Sequence, residues 1–255
     1  KGISATPWVK PLVYLSIPWA FSIHTITAFL YAGLPGRDYW LTALTAPKFL
    51  ASAFATGPAL LILLCYILRR CTGFDAGQQA IRRLSVILTY AMTITMFMVA
   101  VEFFTAFYSQ VPSHLQGLQY LFFGLYGHSQ YVAVMWLFVV LSVLALVLLF
   151  NKKTRENEGT LLAACAAVFL AMMLEKGISF VIGGFMNNPL HHVVEYKPTL
   201  TELFISTGIW AVGAVTVSLF YRVVVFVKAG SRLDSGEKSE QEMRGNAWAS
   251  RSLSS

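Results

Sequence analysis

The chain has 255 residues, 56% of them hydrophobic and only 12% charged, with a net charge of +7 and a mean hydropathy of +0.63. Soluble domains carry about 25% charged residues, so this composition excludes an ordinary soluble enzyme and predicts an all-α integral membrane protein. The positive charge would suit nucleic acid, but its placement along the chain is a topology signal, which removes that class.

The first residue is Lys1, and no signal peptide is recognisable, because Lys10 leads at once into a full-length apolar span. Six segments reach the roughly 20 apolar residues that a bilayer crossing needs. They run over about 11–33, 47–68, 84–109, 129–150, 160–184 and 201–227. A Gly/Pro turn, Gly33-Leu34-Pro35-Gly36, ends the first. Pro18 and Pro58 lie inside spans, where each frees a backbone carbonyl and opens room for a kink. Ala163, Ala164, Ala166 and Ala167 in the fifth span, and Gly208, Ala211 and Gly213 in the sixth, read as close-packing faces. Between the third and fourth spans, residues 115–126 are aromatic-rich and too short to cross, which predicts an interfacial helix. Residues 1–228 thus form a transmembrane helical domain, and the Ser-, Gly- and charge-rich 229–255 read as a disordered polar tail.

Lys1, Lys10, Arg69, Arg70, Arg82, Arg83, Lys152, Lys153, Arg155, Arg222 and the basic residues of the tail fall on one side of these spans. Arg37, Lys48 and Lys197 fall on the other. The asymmetry predicts a cytoplasmic-membrane protein with both ends of the chain cytoplasmic.

Four ionisable residues lie inside spans: His24, Glu102, Glu175 and Lys176. Counted back from the outer ends at about 1.5 Å per residue, His24, Glu102 and Glu175 share a layer roughly 10–14 Å deep. Ionisable groups in hydrocarbon are expensive and mark function by default. A carboxylate in apolar surroundings is suited to taking and releasing a proton. His24, Thr27 and Tyr31 are spaced to share one helix face, and Thr105 and Tyr108 follow Glu102, so all are candidates for hydrogen bonding at that depth. The plain structural alternative is an ion pair of Glu102 or Glu175 with Lys176, holding helices in register. In an α-helix Glu175 and Lys176 point about 100° apart, so each is expected to need its own partner.

Cys65, Cys71 and Cys165 have neither CxxC nor metal spacing, and read as packing residues. Only His24 among the histidines lies within a span, so a bis-histidine haem is not expected. His191-His192 reads as a solvated pair rather than a metal site. No phosphate-binding loop, dinucleotide fingerprint or nucleophile elbow is present.

Several runs resemble the NrfD/polysulfide reductase membrane-subunit family. They are His24 to Arg37 (HTITAFLYAGLPGR), Ala46-Pro47-Lys48-Phe49, Ala53 to Pro58, Glu175-Lys176-Gly177, Gly184-Phe185, Pro189-Leu190, Glu195 to Thr199 and Gly208 to Ala211. Glu102 to Ser109, with Tyr120-Leu121-Phe122 and Gly127-His128, is most similar to the DsrP type, the membrane subunit of a complex associated with dissimilatory sulfite reduction. The resemblance implies a subunit without cofactor ligands of its own that exchanges electrons between quinone, menaquinone in particular, and a ferredoxin-like iron–sulfur subunit on the outer face. Further cytochrome and iron–sulfur subunits, carrying the haems and clusters, would complete the complex. It makes His24, Thr27, Tyr31, Glu102, Thr105, Tyr108, Glu175 and Lys176 the quinone- or proton-handling candidates. Arg37, Trp40, Lys48, Glu195 and Lys197 become candidates for docking the partner. Family members usually have eight to ten spans in two bundles, and the six spans here resemble their C-terminal part. Two other classes compete: an ion or proton carrier without redox chemistry, and a structural anchor.

Overall fold

The computed structural model describes residues 9–73, 76–186, 196–223 and 225. Six helices in it are long and apolar enough to cross a membrane. In chain order, α1 is Val9–Ala32, α2 Thr45–Thr72, α3 Gln78–Ser109, α4 Pro112–Phe122, α5 Val132–Phe150 and α6 Lys152–Glu156. Then α7 covers Glu158–Leu174, widens into a π-helix over Glu175–Ile182, and closes as α8, Gly183–Met186. A last helix, α9, spans Leu200–Val223 and belongs to a second compact unit that begins at Lys197.

Each expected span is thus present, with ends moved by a few residues. The largest change is at α3, which starts at Gln78 and so lifts Arg82 and Arg83 into its first turns. The short helix expected over 115–126 is α4, shifted toward the N-terminus, with Pro112 at its first position, where no backbone donor is needed. It is not simply laid on a lipid surface, because Leu115, Leu118, Tyr120, Leu121 and Phe122 are buried in protein.

Within the first unit, α2 packs on α3 and α7, and α5 packs on α7. Small residues let these helices approach: Ala55 and Ala59 on α2, Ala91 on α3, Ala145 on α5, and Ala164, Ala167 and Ala171 on α7 are all buried. Ala163 of the expected small face points outward. Ile62, Leu88, Met92, Met135, Phe138, Leu149 and Met172 fill the space between them completely. By contrast α1 buries only Ala28 and exposes a continuous apolar surface, as a helix facing hydrocarbon does. The turns sort into two ends. One carries Arg69, Arg70, Lys152, Lys153 and Arg155, and the other, the loop end, carries residues 33–44, α4 and α8.

Residues 33–44 fold over the loop end and clamp the end of α7. Trp40 Nε1 donates to the Phe180 carbonyl at 2.7 Å, and the Tyr39 hydroxyl lies 3.0 Å from Ser179 Oγ. Arg37 Nη1 donates to the carbonyls of Gly184 and Phe185, and its guanidinium stacks 4.8 Å from the Phe185 ring centroid. Glycines make this possible. A Cβ on Gly184 would fall inside the Trp40 indole, and one on Gly117 inside the Tyr39 ring. Gly184→Ala must therefore displace Trp40, and overpacking of this kind costs about 1–3 kcal/mol. The expected outcome is a lower thermal midpoint in detergent for Gly184→Ala, with no loss for Gly57→Ala, whose Cβ meets nothing inside helix α2.

Candidate functional site

The clamp encloses a group of four charged side chains. Lys48, one turn into α2, donates to Glu102 Oε2 of α3 at 2.6 Å, and its ammonium lies 2.8 Å from Glu175 Oε1 on the π-helix. Glu175 Oε2 in turn lies 3.2 Å from the Lys176 ammonium, which sits 4.0 Å above the centre of the Phe49 ring. Two cations thus face two anions, and three helices contribute. The Lys48 and Glu175 side chains are 7% and 2% exposed, Glu102 16% and Lys176 27%. Buried charges are tolerable only when paired in this way.

The π-helix brings Glu175 and Lys176 into the same group. In an α-helix these adjacent side chains would each need a separate partner. In the wider turn they contact each other, Glu175 also reaches Lys48, and Lys176 takes an aromatic face as its second partner. π-Helices are rare and concentrate at functional sites. The oxygens of Glu175 and the Lys176 ammonium are buried and in ion-pair contact, yet make no directed hydrogen bond within the protein.

Two cavities adjoin the group. One of about 290 Å³ lies at the loop end, lined by Tyr39, residues 41–44, Glu102, Thr105, Ala106, Ser109, His114 and Leu118. A second void of about 10 Å³ lies deeper, against Tyr39, Leu44, Thr45, Lys48, Phe49, Glu102 and Phe180. That is the room of roughly one water. Burial, with the Glu102 carboxylate beside it, pushes the Tyr39 phenol well above its ordinary value, so it stays neutral.

His24 lies elsewhere. It caps one end of an apolar groove of about 590 Å³ between α1, α2 and α3, whose other walls include Ser16, Phe21, Phe54, Gly57, Pro58 and Ile87. Gly57 and Pro58 border this groove. His24 Nδ1 lies 3.0 Å from the Ala20 carbonyl, so that nitrogen carries the hydrogen and Nε2 is left as an acceptor when the ring is neutral. Thr27 and Thr105 spend their hydroxyl protons one turn back on the carbonyls of Ile23 and Val101. Tyr31 packs edge-on against Trp40 and Phe180, at 4.9 and 5.0 Å between centroids.

The remaining candidates are divided. Tyr108 is 80% exposed and stacks on Phe104, away from Glu102. Trp40 and Lys48, expected on a docking surface, are 3% and 5% exposed and packed inside, since the 33–44 loop folds inward over α2. Arg37 is partly buried in the clamp, Lys197 is exposed in the second unit, and Glu195 and the His191-His192 pair lie outside the described residues. Among the described residues no three His, Cys, Asp or Glu side chains gather as a metal site. Sequence reading missed Lys48 as the centre of the charge group, and it missed His114 and Ser109. The helical period itself selects Ser109, seven positions after Glu102.

The fold and site define a multi-pass helical membrane protein built around a neutral, buried charge cluster. The sequence matches the family model for "Polysulphide reductase, NrfD" over residues 3–186, and the chain belongs to that family. It is 22% identical over 222 residues to a selenate reductase subunit of Mesobacillus selenatarsenatis, covering 85% of this chain and 51% of the relative. It is 25% identical over 202 residues to the Hdr-like menaquinol oxidoreductase integral membrane subunit of Archaeoglobus fulgidus, covering 74% and 50%. The chain spans about half the length of these curated relatives.

Charge balance makes a specific prediction. Lys48→Met leaves two carboxylates facing one lysine, and removing one partner of a buried pair costs about 3–5 kcal/mol. The double variant Lys48→Met with Glu102→Leu restores the balance as Glu175 with Lys176, and is expected to recover most of the lost thermal midpoint. A double variant no more stable than Lys48→Met alone would show that the four side chains are not one electrostatic unit.

Proposed function

We propose that this chain is the quinone-interacting membrane subunit of a multi-subunit respiratory oxidoreductase. In this reading it passes electrons between the quinone pool and an iron–sulfur subunit on the outer face, with protons taken up or released through the buried charge cluster. The observation that carries the reading is that cluster, placed beside a polar cavity in a chain of the NrfD family. The name of the Archaeoglobus relative, a menaquinol oxidoreductase subunit, favours menaquinone as the substrate. A DsrP-type complex of anaerobic sulfur metabolism is the finer assignment. Both ends of the chain are then cytoplasmic, and the loop end faces outward.

Quinol oxidation yields two electrons and two protons, so the protein must supply a place for the head group and proton acceptors. The groove beside His24 is open to lipid and almost wholly apolar, which suits an isoprenoid tail. The unprotonated Nε2 suits the hydroxyl of a quinol head. Arg37 and Lys197, with Glu195, remain the charged residues assigned to docking the iron–sulfur subunit.

Gentle purification of the tagged chain, with mass spectrometry of its partners and extraction of quinone, tests the assignment. The expected result is an iron–sulfur subunit, cytochrome partners and bound quinone. A folded chain that purifies alone and quinone-free would overturn it in favour of a carrier. Within a complex that assembles normally, His24→Leu is expected to lower quinol-linked turnover about 10²-fold, the lower range for a lost acid–base group. Unchanged turnover would remove the groove as the head-group site.

A further inference from the structure

The cavity at the loop end is larger than packing requires, and its polar lining is selective. Among its described walls the ionisable side chains are Tyr39, Glu102 and His114. Tyr39 is committed to Ser179 and stays neutral, and Thr105 has given its hydroxyl proton to Val101. That leaves a half-buried imidazole on α4 and a carboxylate on α3 sharing one cavity. Tyr39, Leu44 and Glu102 border both this cavity and the single-water void against Lys48. The groups facing Glu102 are therefore Lys48 from α2, His114 from α4 and Tyr39 from the loop. Glu175 and Lys176 lie beyond Lys48. The Glu175 side chain, by contrast, is only 2% exposed.

We propose that this cavity is the aqueous port of the buried charge cluster, with His114 as its proton carrier and Glu102 as the first buried group to change protonation. An imidazolium at His114 loses its N–H proton to cavity water, and water delivers a proton to Glu102, where an O–H bond forms. His114 is recharged from the outside solution. When Glu102 becomes neutral, Lys48 keeps Glu175 at 2.8 Å and shares it with Lys176, so the cluster carries one excess positive charge that favours the return of the proton. The reverse sequence releases a proton. His114 acts through Glu102 and is a positioning and relay group, not a catalytic residue. Only the turnover measurement below rests on the quinone-linked reading.

Two measurements on the purified complex test the port. The first follows the Glu102 carboxylic acid band by time-resolved infrared spectroscopy after an acid jump, with Glu102→Gln identifying the band. Ala43→Trp, which places an indole at the exposed rim of the cavity, is expected to slow its appearance about tenfold or more. Equal rates in the wild-type and Ala43→Trp complexes would overturn the port. The second measures quinol-linked turnover. His114→Ala is expected to lower it about tenfold, less than for a general acid at the reacting atoms, because cavity water still reaches Glu102. Added imidazole is expected to restore the rate in His114→Ala and to leave the wild type unchanged. A loss that imidazole does not restore would make His114 structural and overturn its role as carrier. A complex without quinol turnover in which Ala43→Trp still slows the Glu102 band would refute the functional reading and leave the port standing.

Discussion

Everything at the loop end of the bundle follows from placing the Lys48 ammonium among apolar helices. An unpaired ammonium there would be prohibitive, and one carboxylate would leave other donors without acceptors. Two carboxylates satisfy Lys48 but leave an excess negative charge, which Lys176 removes. The group is therefore a closed electrostatic unit, and each member fixes the helix that carries it. Through it α2, α3 and the π-helix are tied at one level, and this restricts how any of them can slide or rotate.

That constraint explains the otherwise costly features around it. A π-helix gives up regular α-helical geometry, yet here it places Glu175 and Lys176 in a single group and is braced from outside by Arg37, Tyr39 and Trp40. The bracing loop needs room, and Gly117 and Gly184 provide it where any side chain would collide with Tyr39 or Trp40. The same loop lowers Lys48 from a position near the start of α2 into the interior. Buried polarity, irregular helix and glycine-lined contact are one solution to one problem.

The spans were legible in the sequence because bilayer thickness imposes their length, and counting along them put Glu102 and Glu175 at one level, where both contact Lys48. Lys48 was not legible as a core residue. It lies near the start of a span, where a lysine ordinarily reaches for the interface, and only the fold of residues 33–44 covers it. Tyr108 does not share the face of Glu102, for a local reason. Six positions after Glu102 it is turned about 120° away, whereas Ser109 returns to the same face. The ion pair of Glu175 with Lys176 was among the alternatives the sequence offered and is present, but the π-helix that brings these adjacent side chains together carries no periodic signal. His114 looked like a loop residue because nothing local indicates that α4 folds back over α3.

The arrangement keeps two chemistries apart. His24 opens to the lipid-facing groove, and Tyr31, two turns further along α1, enters the aromatic cluster of Trp40, Phe49 and Phe180. Phe49 and Phe180 also flank the Lys176 ammonium. One face of that aromatic wall therefore belongs to the hydrocarbon side of the protein, and the other closes off the charge cluster. Aromatic rings suit the task, since their faces stabilise the cation while their edges pack against apolar neighbours. His24 borders the apolar groove, whereas Tyr39, Phe49 and Phe180 line the innermost void beside Glu102. Phe49 touches both Tyr31, at 6.4 Å between centroids, and the Lys176 ammonium, so the aromatic wall is continuous from one site to the other.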